Sequence, residues 1–213
     1  MTAIGDPVLK SMLICALALL VSGCVIVGSD QPLFGSGDIG HAVLRNGVWA
    51  LPDDNCQFEP SQPAVRWPQC ANPTQVTDGR LTGGFGKADK PPQTIAIVLA
   101  DGDPVVLQLE APDDRKPDDP RYVYAALEPI RTDPQGRIVE AHVWLVLCFK
   151  TPLNPKAAKP HPYPGLVLRQ GSQYCRATQQ GPVRDAARLT RTNAIKGEPF
   201  WLTARWIRDG GPR

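Results

Sequence analysis

Thr94-Ile95-Ala96-Ile97-Val98-Leu99-Ala100 is followed by Asp101-Gly102 and then by Asp103-Pro104-Val105-Val106-Leu107-Gln108-Leu109-Glu110. Two apolar, largely β-branched runs flank an Asp-Gly pair. That is a strong hairpin signal, because both positions of the tightest turn need positive φ. Pro104 has no N–H, so it belongs at an edge or in an unbonded slot. Both faces near the turn are apolar, which predicts a hairpin covered on two sides. Further along, Tyr122-Val123-Tyr124-Ala125-Ala126-Leu127 leads through Thr132-Asp133-Pro134-Gln135-Gly136-Arg137 into a second strand over 138–149. There Val139, Ala141, Val143, Leu145, Leu147 and Phe149 alternate with a face that starts polar at Glu140 and His142. Period-two alternation of that length is strand patterning.

Working outward, Asn46-Gly47-Val48-Trp49-Ala50-Leu51 opens the folded part as a short strand, and 52–86 reads as an irregular, turn-rich loop with Trp67 packed on its own crosslink. The acidic run holding Asp113, Asp114, Asp118 and Asp119 is a solvated linker between the hairpins. Leu166-Val167-Leu168 and Gln173-Tyr174-Cys175 are short strand pieces. One helix is predicted over 181–192, with Pro182 suited to its first position and Val183, Ala186, Ala187 and Thr190 on one face. The closing strand over 200–208 places Phe200, Leu202, Ala204 and Trp206 on one side. Strands without βαβ alternation predict a β-dominated α+β domain: an antiparallel sheet built from hairpins, one short helix in the C-terminal region, and disulfide stabilisation.

Composition narrows the function. The 213 residues carry 23 Lys and Arg against 21 Asp and Glu, a near balance that disfavours a nucleic-acid partner. With 19 Gly and 23 Pro the chain is rich in turn formers but short of a disordered composition. The N-terminus speaks to location. Lys10 precedes Ser11-Met12-Leu13-Ile14-Cys15-Ala16-Leu17-Ala18-Leu19-Leu20-Val21, which ends in Ser22-Gly23-Cys24. This run is too short to span a bilayer and matches an export signal.

Val21-Ser22-Gly23-Cys24 resembles the lipobox of bacterial lipoproteins. The resemblance covers about the first 24 residues and implies cleavage before Cys24, followed by acylation there. More than one acyl chain makes a stable anchor. Val25 after the anchor, rather than Asp, implies sorting to the outer membrane, facing the periplasm. The implied organisation is a signal peptide over 1–23, a lipid-anchored tether over 24–45, and a single globular domain over 46–209. Leu33 and Phe34 are the tether residues able to dock on that domain.

Discarding Cys15 with the signal and committing Cys24 to lipid leaves Cys56, Cys70, Cys148 and Cys175, an even number in an oxidising compartment. Of the three possible connectivities, Cys56–Cys70 with Cys148–Cys175 closes two short loops without crossing. No C-x-x-C occurs, and His41, His142 and His161 show no finger-like spacing, so neither a metal nor a cofactor is expected.

Catalytic signals are thin. His142 with Glu140 two residues before it on the same strand face is half of a base–orienter pair, and is the weak candidate site. Two polar residues on a solvated face explain the pattern more simply. Asp53-Asp54 reads as turn chemistry, and the acidic run lacks the Gly and Glu spacing of a calcium loop. No G-x-S-x-G or S-x-x-K motif occurs, and Gly83-Gly84-Phe85-Gly86 opens no helix. Lys150, Lys156, Lys159 and His161 form a basic stretch best read as a solvated loop. Trp144 and Trp206 sit in alternating patterns that favour core over ligand stacking. The expectation is a lipid-anchored periplasmic module, structural or binding. It would meet the membrane through Cys24 and an envelope protein or cell-wall partner through its domain. A hydrolase acting on envelope polymer is the alternative.

Overall fold

The computed structural model of the chain describes residues 25–53, 55–83, 91–111, 115–149, 161–168, 172–192, 194–195, 198–199 and 201–211. The signal segment and Cys24 lie outside them, as do Asp54, Asp113, Asp114, Gly84–Gly86, Lys150, Lys156, Lys159 and Phe200. In chain order the strands are β1 (Ile26–Ser29), β2 (Gly47–Ala50), β3 (Thr74–Thr77), β4 (Arg80–Gly83), β5 (Gln93–Ala100), β6 (Val105–Glu110) and β7 (Tyr122–Thr132). They continue with β8 (Ile138–Leu145), β9 (Val167–Leu168), β10 (Tyr174–Arg176), β11 (Ala194–Ile195), β12 (Glu198–Pro199) and β13 (Leu202–Arg208). Helix α1 spans Gln180–Arg191.

The fold is β-dominated with one α-helix among the described residues, as the patterning predicts, and its main sheet is closed. The order β6-β5-β4-β3-β2-β13-β8-β7 returns to β6 through a further β6–β7 ladder, giving an antiparallel eight-stranded barrel. Closure removes the exposed edges that an open sheet of these hairpins would carry. A side sheet leaves the barrel at β7: β1 pairs antiparallel with Tyr122 and Val123, β10 runs parallel to β1, and β9 forms the outer edge.

Both apolar faces of the strands are used. Trp49, Val76, Leu107, Ala125, Leu127, Ala141 and Ala204 fill the barrel interior. On the outside, Ala100, Val106, Tyr124, Ala126 and Trp144 are covered by Phe34 and by Val183, Ala186 and Ala187 of α1. The helix face is the one its 3.6-residue spacing predicts. Pro182 sits third rather than first in the helix, still within the turn whose N–H groups have no intrahelical partner. Elsewhere, Val48 and Ala50 are covered by Ala64, Trp67 and Ala71 of the crosslinked loop. Both disulfides connect as the short-loop argument favours: Cys56–Cys70 with Cα atoms 5.6 Å apart, and Cys148–Cys175 with Cα atoms 6.1 Å apart. Trp144 is a core residue, while Trp206 is half-buried with the Arg45 guanidinium 3.6 Å above its ring.

Four expectations are corrected. The segment expected as a tether over 24–45 belongs to the fold from Val25 onward: Val27 and Phe34 are buried, and β1 is built into the side sheet. What holds this Gly- and Ser-rich stretch is Gln108. Its side chain accepts the Leu33 and Phe34 N–H groups at 2.8 and 3.0 Å and donates to the Phe34 carbonyl at 3.0 Å, acting as a substitute strand edge. The loop expected over 52–86 ends in a regular hairpin, β3–β4, turned by Asp78 and Gly79 with φ of 42° and 73°. At Asp101-Gly102 the connection is wider than a two-residue turn: Gly102 alone has positive φ, and a cis Asp103–Pro104 peptide precedes β6. The strand expected to reach Phe149 stops at Leu145, where the chain leaves β7 and β1 takes its place beside Val123.

Candidate functional site

The two ends of the barrel differ. At one end the chain before β2 crosses the opening. Ile138 donates to the Val43 carbonyl at 2.7 Å, Arg45 N–H donates to the Ile138 carbonyl at 3.0 Å, and Leu44 packs into the interior clusters. Asp101 anchors the approach to this plug by accepting the His41 and Ala42 N–H groups at 2.7 and 3.0 Å. Those two backbone bonds hold its carboxyl below the usual carboxylate value. Asp133 is likewise lowered by Arg137, which closes the β7–β8 turn beside the plug.

At the other end no described segment crosses. The β8 strand ends at Leu145 and β13 starts at Leu202, and among the described residues the inward-facing side chains at the rim lack a covering neighbour. Leu145 is 40% and Leu202 44% exposed. With Leu51, Ala125, Val143, Trp144 and Trp201 they line an open cleft of about 520 Å³. Every one of these side chains is apolar, with only the indole N–H groups as polar points. The Trp144 indole already donates to the Ala187 carbonyl at 3.1 Å. The volume lies within the range of small-molecule sites. This cleft was not legible in the sequence, because Leu145 and Leu202 belong to strands that read simply as core.

His142 lies on the outer face of β8, half-buried, opposite Thr203 of β13 and Glu128 of β7. Its ring is 5.1 Å from that of Trp201, and its Nδ1 has no hydrogen-bond partner among the described residues. Glu140 faces the same way but is held by arginines on both neighbouring strands: Arg205 at 3.0 Å and Arg131 at 3.4 Å. Glu128 pairs with Arg191. Both carboxylates near His142 therefore serve ion pairs, Glu140 across strands and Glu128 to the end of α1, which fits polar residues on a sheet face better than a base with its orienter. Among the described residues no group of three or more His, Cys, Asp or Glu side chains could hold a metal ion.

The deepest polar group in the outer layer is the Tyr124 phenol, which shares a 2.5 Å hydrogen bond with the Ser29 hydroxyl. Burial pushes its pKa up to about 12, against a smaller opposing effect of the Ser29 bond. Its role is to fasten β1 to the barrel. No family model matches this sequence, and no curated protein or solved structure is detectably similar to it.

Proposed function

We propose that this chain is a lipid-anchored envelope protein, exported by its N-terminal segment and acylated on Cys24, whose barrel is a binding module with the open apolar cleft as its contact site. The observation that carries the compartment is the state of the cysteines. Once the signal is removed and Cys24 is committed to lipid, all four that remain are joined in two disulfides. A fully crosslinked set belongs to an oxidising compartment. What supports a binding role is the contrast between the end of the barrel crossed by the chain before β2 and the other end, where an apolar cleft opens and no described segment crosses. The hydrolase alternative rests on His142 and Glu140, and Glu140 is already engaged by Arg205 and Arg131.

Intact mass of the detergent-extracted protein, before and after reduction, tests the anchor. A chain starting at an acylated Cys24 that gains four hydrogens on reduction supports it. An unprocessed chain with free thiols overturns it. The cleft is tested separately by titrating the protein with an apolar fluorescent dye. Binding that is lost in Leu202→Glu, with the fold retained by circular dichroism, supports the cleft as the contact site; no binding by the native chain removes it.

A further inference from the structure

We infer that the anchor has no spacer and therefore holds the domain against the bilayer in one orientation, with the outer edge of the side sheet, β9, in the headgroup layer. This rests on acylation of Cys24 as proposed above. The decisive observation is where the fold begins. Val25 follows Cys24 directly, and its carbonyl already accepts the Cys148 N–H at 2.9 Å. Ile26 N–H donates to the Gln173 carbonyl at 3.0 Å, and Val27 is fully buried. Acyl chains on Cys24 would occupy the hydrocarbon core, so its backbone lies in a headgroup layer about 5–8 Å thick. One peptide step spans about 3.8 Å. Val25 therefore lies within one residue step of that layer, and the residues bonded to it within one further strand spacing.

A second observation points the same way. From Val27 the side sheet runs through Cys175 to Leu168. Two strand spacings place Leu168 about 10 Å from Val27. Among the described residues β9 is bonded on one side only, and it carries Val167 at 63% and Leu168 at 37% exposure. An uncharged, apolar edge strand is a liability in water. A second copy is the poorer occupant, since a two-residue strand is far from supplying the roughly 1,200 Å² of a stable interface. The bilayer needs no such area, because the acyl chains have already brought it to the edge of the sheet.

The test uses the acylated full chain in phosphatidylethanolamine–phosphatidylglycerol vesicles, with a nitroxide on Val167→Cys or, as control, on Ile130→Cys. Ile130 is 48% exposed and lies seven residues, about 23 Å, along β7 from Val123, where β1 pairs. The expected result is severalfold weaker collision with a water-soluble nickel chelate at 167 than at 130. Inserting about fifteen Gly and Ser residues after Cys24, a reach of roughly 20 Å, should abolish the difference. Hydrogen exchange at the Val167, Leu168 and Tyr174 amides of the unlabelled chain, with and without the spacer, gives the same reading if the labelled variants fold poorly. An acylated chain whose 167 site is as accessible as 130 overturns the orientation and leaves the anchor standing. A chain with no acyl mass overturns the anchor itself, and the orientation with it.

Discussion

On one flank of the barrel, α1 and Phe34 lie over Ala100, Val106, Tyr124, Ala126 and Trp144; on another, the chain from Cys56 to Ala71 lies over Val48 and Ala50. Each flank carries one disulfide, Cys56–Cys70 within the loop cover and Cys148–Cys175 between the chain after β8 and β10, yet the covers are held on differently. The helical flank buries a large apolar cluster and adds buried side-chain bonds to the barrel, from the Trp144 indole to Ala187 and from Leu147 N–H to Thr190. The loop flank has a small cluster. It is joined to the barrel by backbone bonds from Leu51 to Ala71 and Asp53 to Cys70, and by Arg208, whose guanidinium lies 5.4 Å from the Trp67 ring. A cover with enough apolar area of its own needs its crosslink less than a thin one does. That difference can be broken or sharpened by experiment.

The largest effect is expected from Trp144→Ala, about 3–5 kcal/mol for emptying a buried indole site. Unfolding by denaturant should remain a single transition, because the helical flank is continuous with the barrel. Trp67→Ala should cost less, about 3 kcal/mol at most, because a thin cover can collapse into the space. Equal losses would erase the contrast. The disulfides come next. Their sequence separations are 27 and 14 residues, so chain entropy alone assigns about 3.6 kcal/mol to Cys148–Cys175 and about 3 kcal/mol to Cys56–Cys70. Paired Cys→Ala variants should therefore lower global stability to a similar degree but differ locally. Without Cys56–Cys70, amide exchange should rise in 56–71 while the barrel stays protected. Without Cys148–Cys175, α1 should stay protected. Exchange that rises equally over both flanks would show that cluster size does not decide.

The sequence patterning identified the strands whose faces alternate, the buried face of α1 and the disulfide framework. The Asp-Gly pairs at 78–79 and 101–102 show where such reading runs out. Asp78-Gly79 forms the tight turn with both φ values positive, yet its flanking strands are only four residues each and half-polar, so they were hidden in a turn-rich stretch. Asp101-Gly102 sits between the strongest strand signals but adopts a wider connection, because the Asp101 carboxylate binds the chain at His41 and Ala42. A tertiary contact there overrides the local turn preference. The segment over 26–45 was missed for a related reason: it is bound through Gln108, a polar residue 75 positions away from Leu33, and no local pattern reports that. At the candidate site, His142 and Glu140 are visible as residues, but the pairing of Glu140 with Arg131 and Arg205 is not. The cleft depends on which strand ends stop short, and period-two patterning does not carry strand ends.

The helical flank also predicts a pH dependence. The Tyr124 phenol titrates near 12 in the fold against an ordinary value of 10 in the unfolded chain. Below pH 10 it is protonated in both states and its contribution to stability is fully present. As pH rises from 10 to 12 the unfolded chain releases the proton first, so stability falls, by about 2–3 kcal/mol once the folded phenol also ionises. Urea midpoints measured between pH 9 and 12 should decline, and the decline should be shallower in Tyr124→Phe. An equal slope in both proteins would assign the alkaline loss to other groups and remove Tyr124 as the fastener of β1.

The smallest effect comes from Thr190. Its hydroxyl donates to the Ala186 carbonyl at 2.7 Å within α1 and accepts the buried Leu147 N–H at 3.1 Å. Leu147 lies just past the point where β8 leaves the barrel, so this bond ties the departing chain to the helix. Thr190→Val keeps the shape and removes the acceptor, leaving one buried N–H without a partner, a loss of about 1–2 kcal/mol. Thr190→Ser keeps the hydroxyl and should recover most of it. If Val and Ser variants unfold at the same denaturant concentration, the Thr190 bond adds nothing to the flank. Its advantage over the loop flank would then be apolar area together with the remaining buried bond from the Trp144 indole to Ala187.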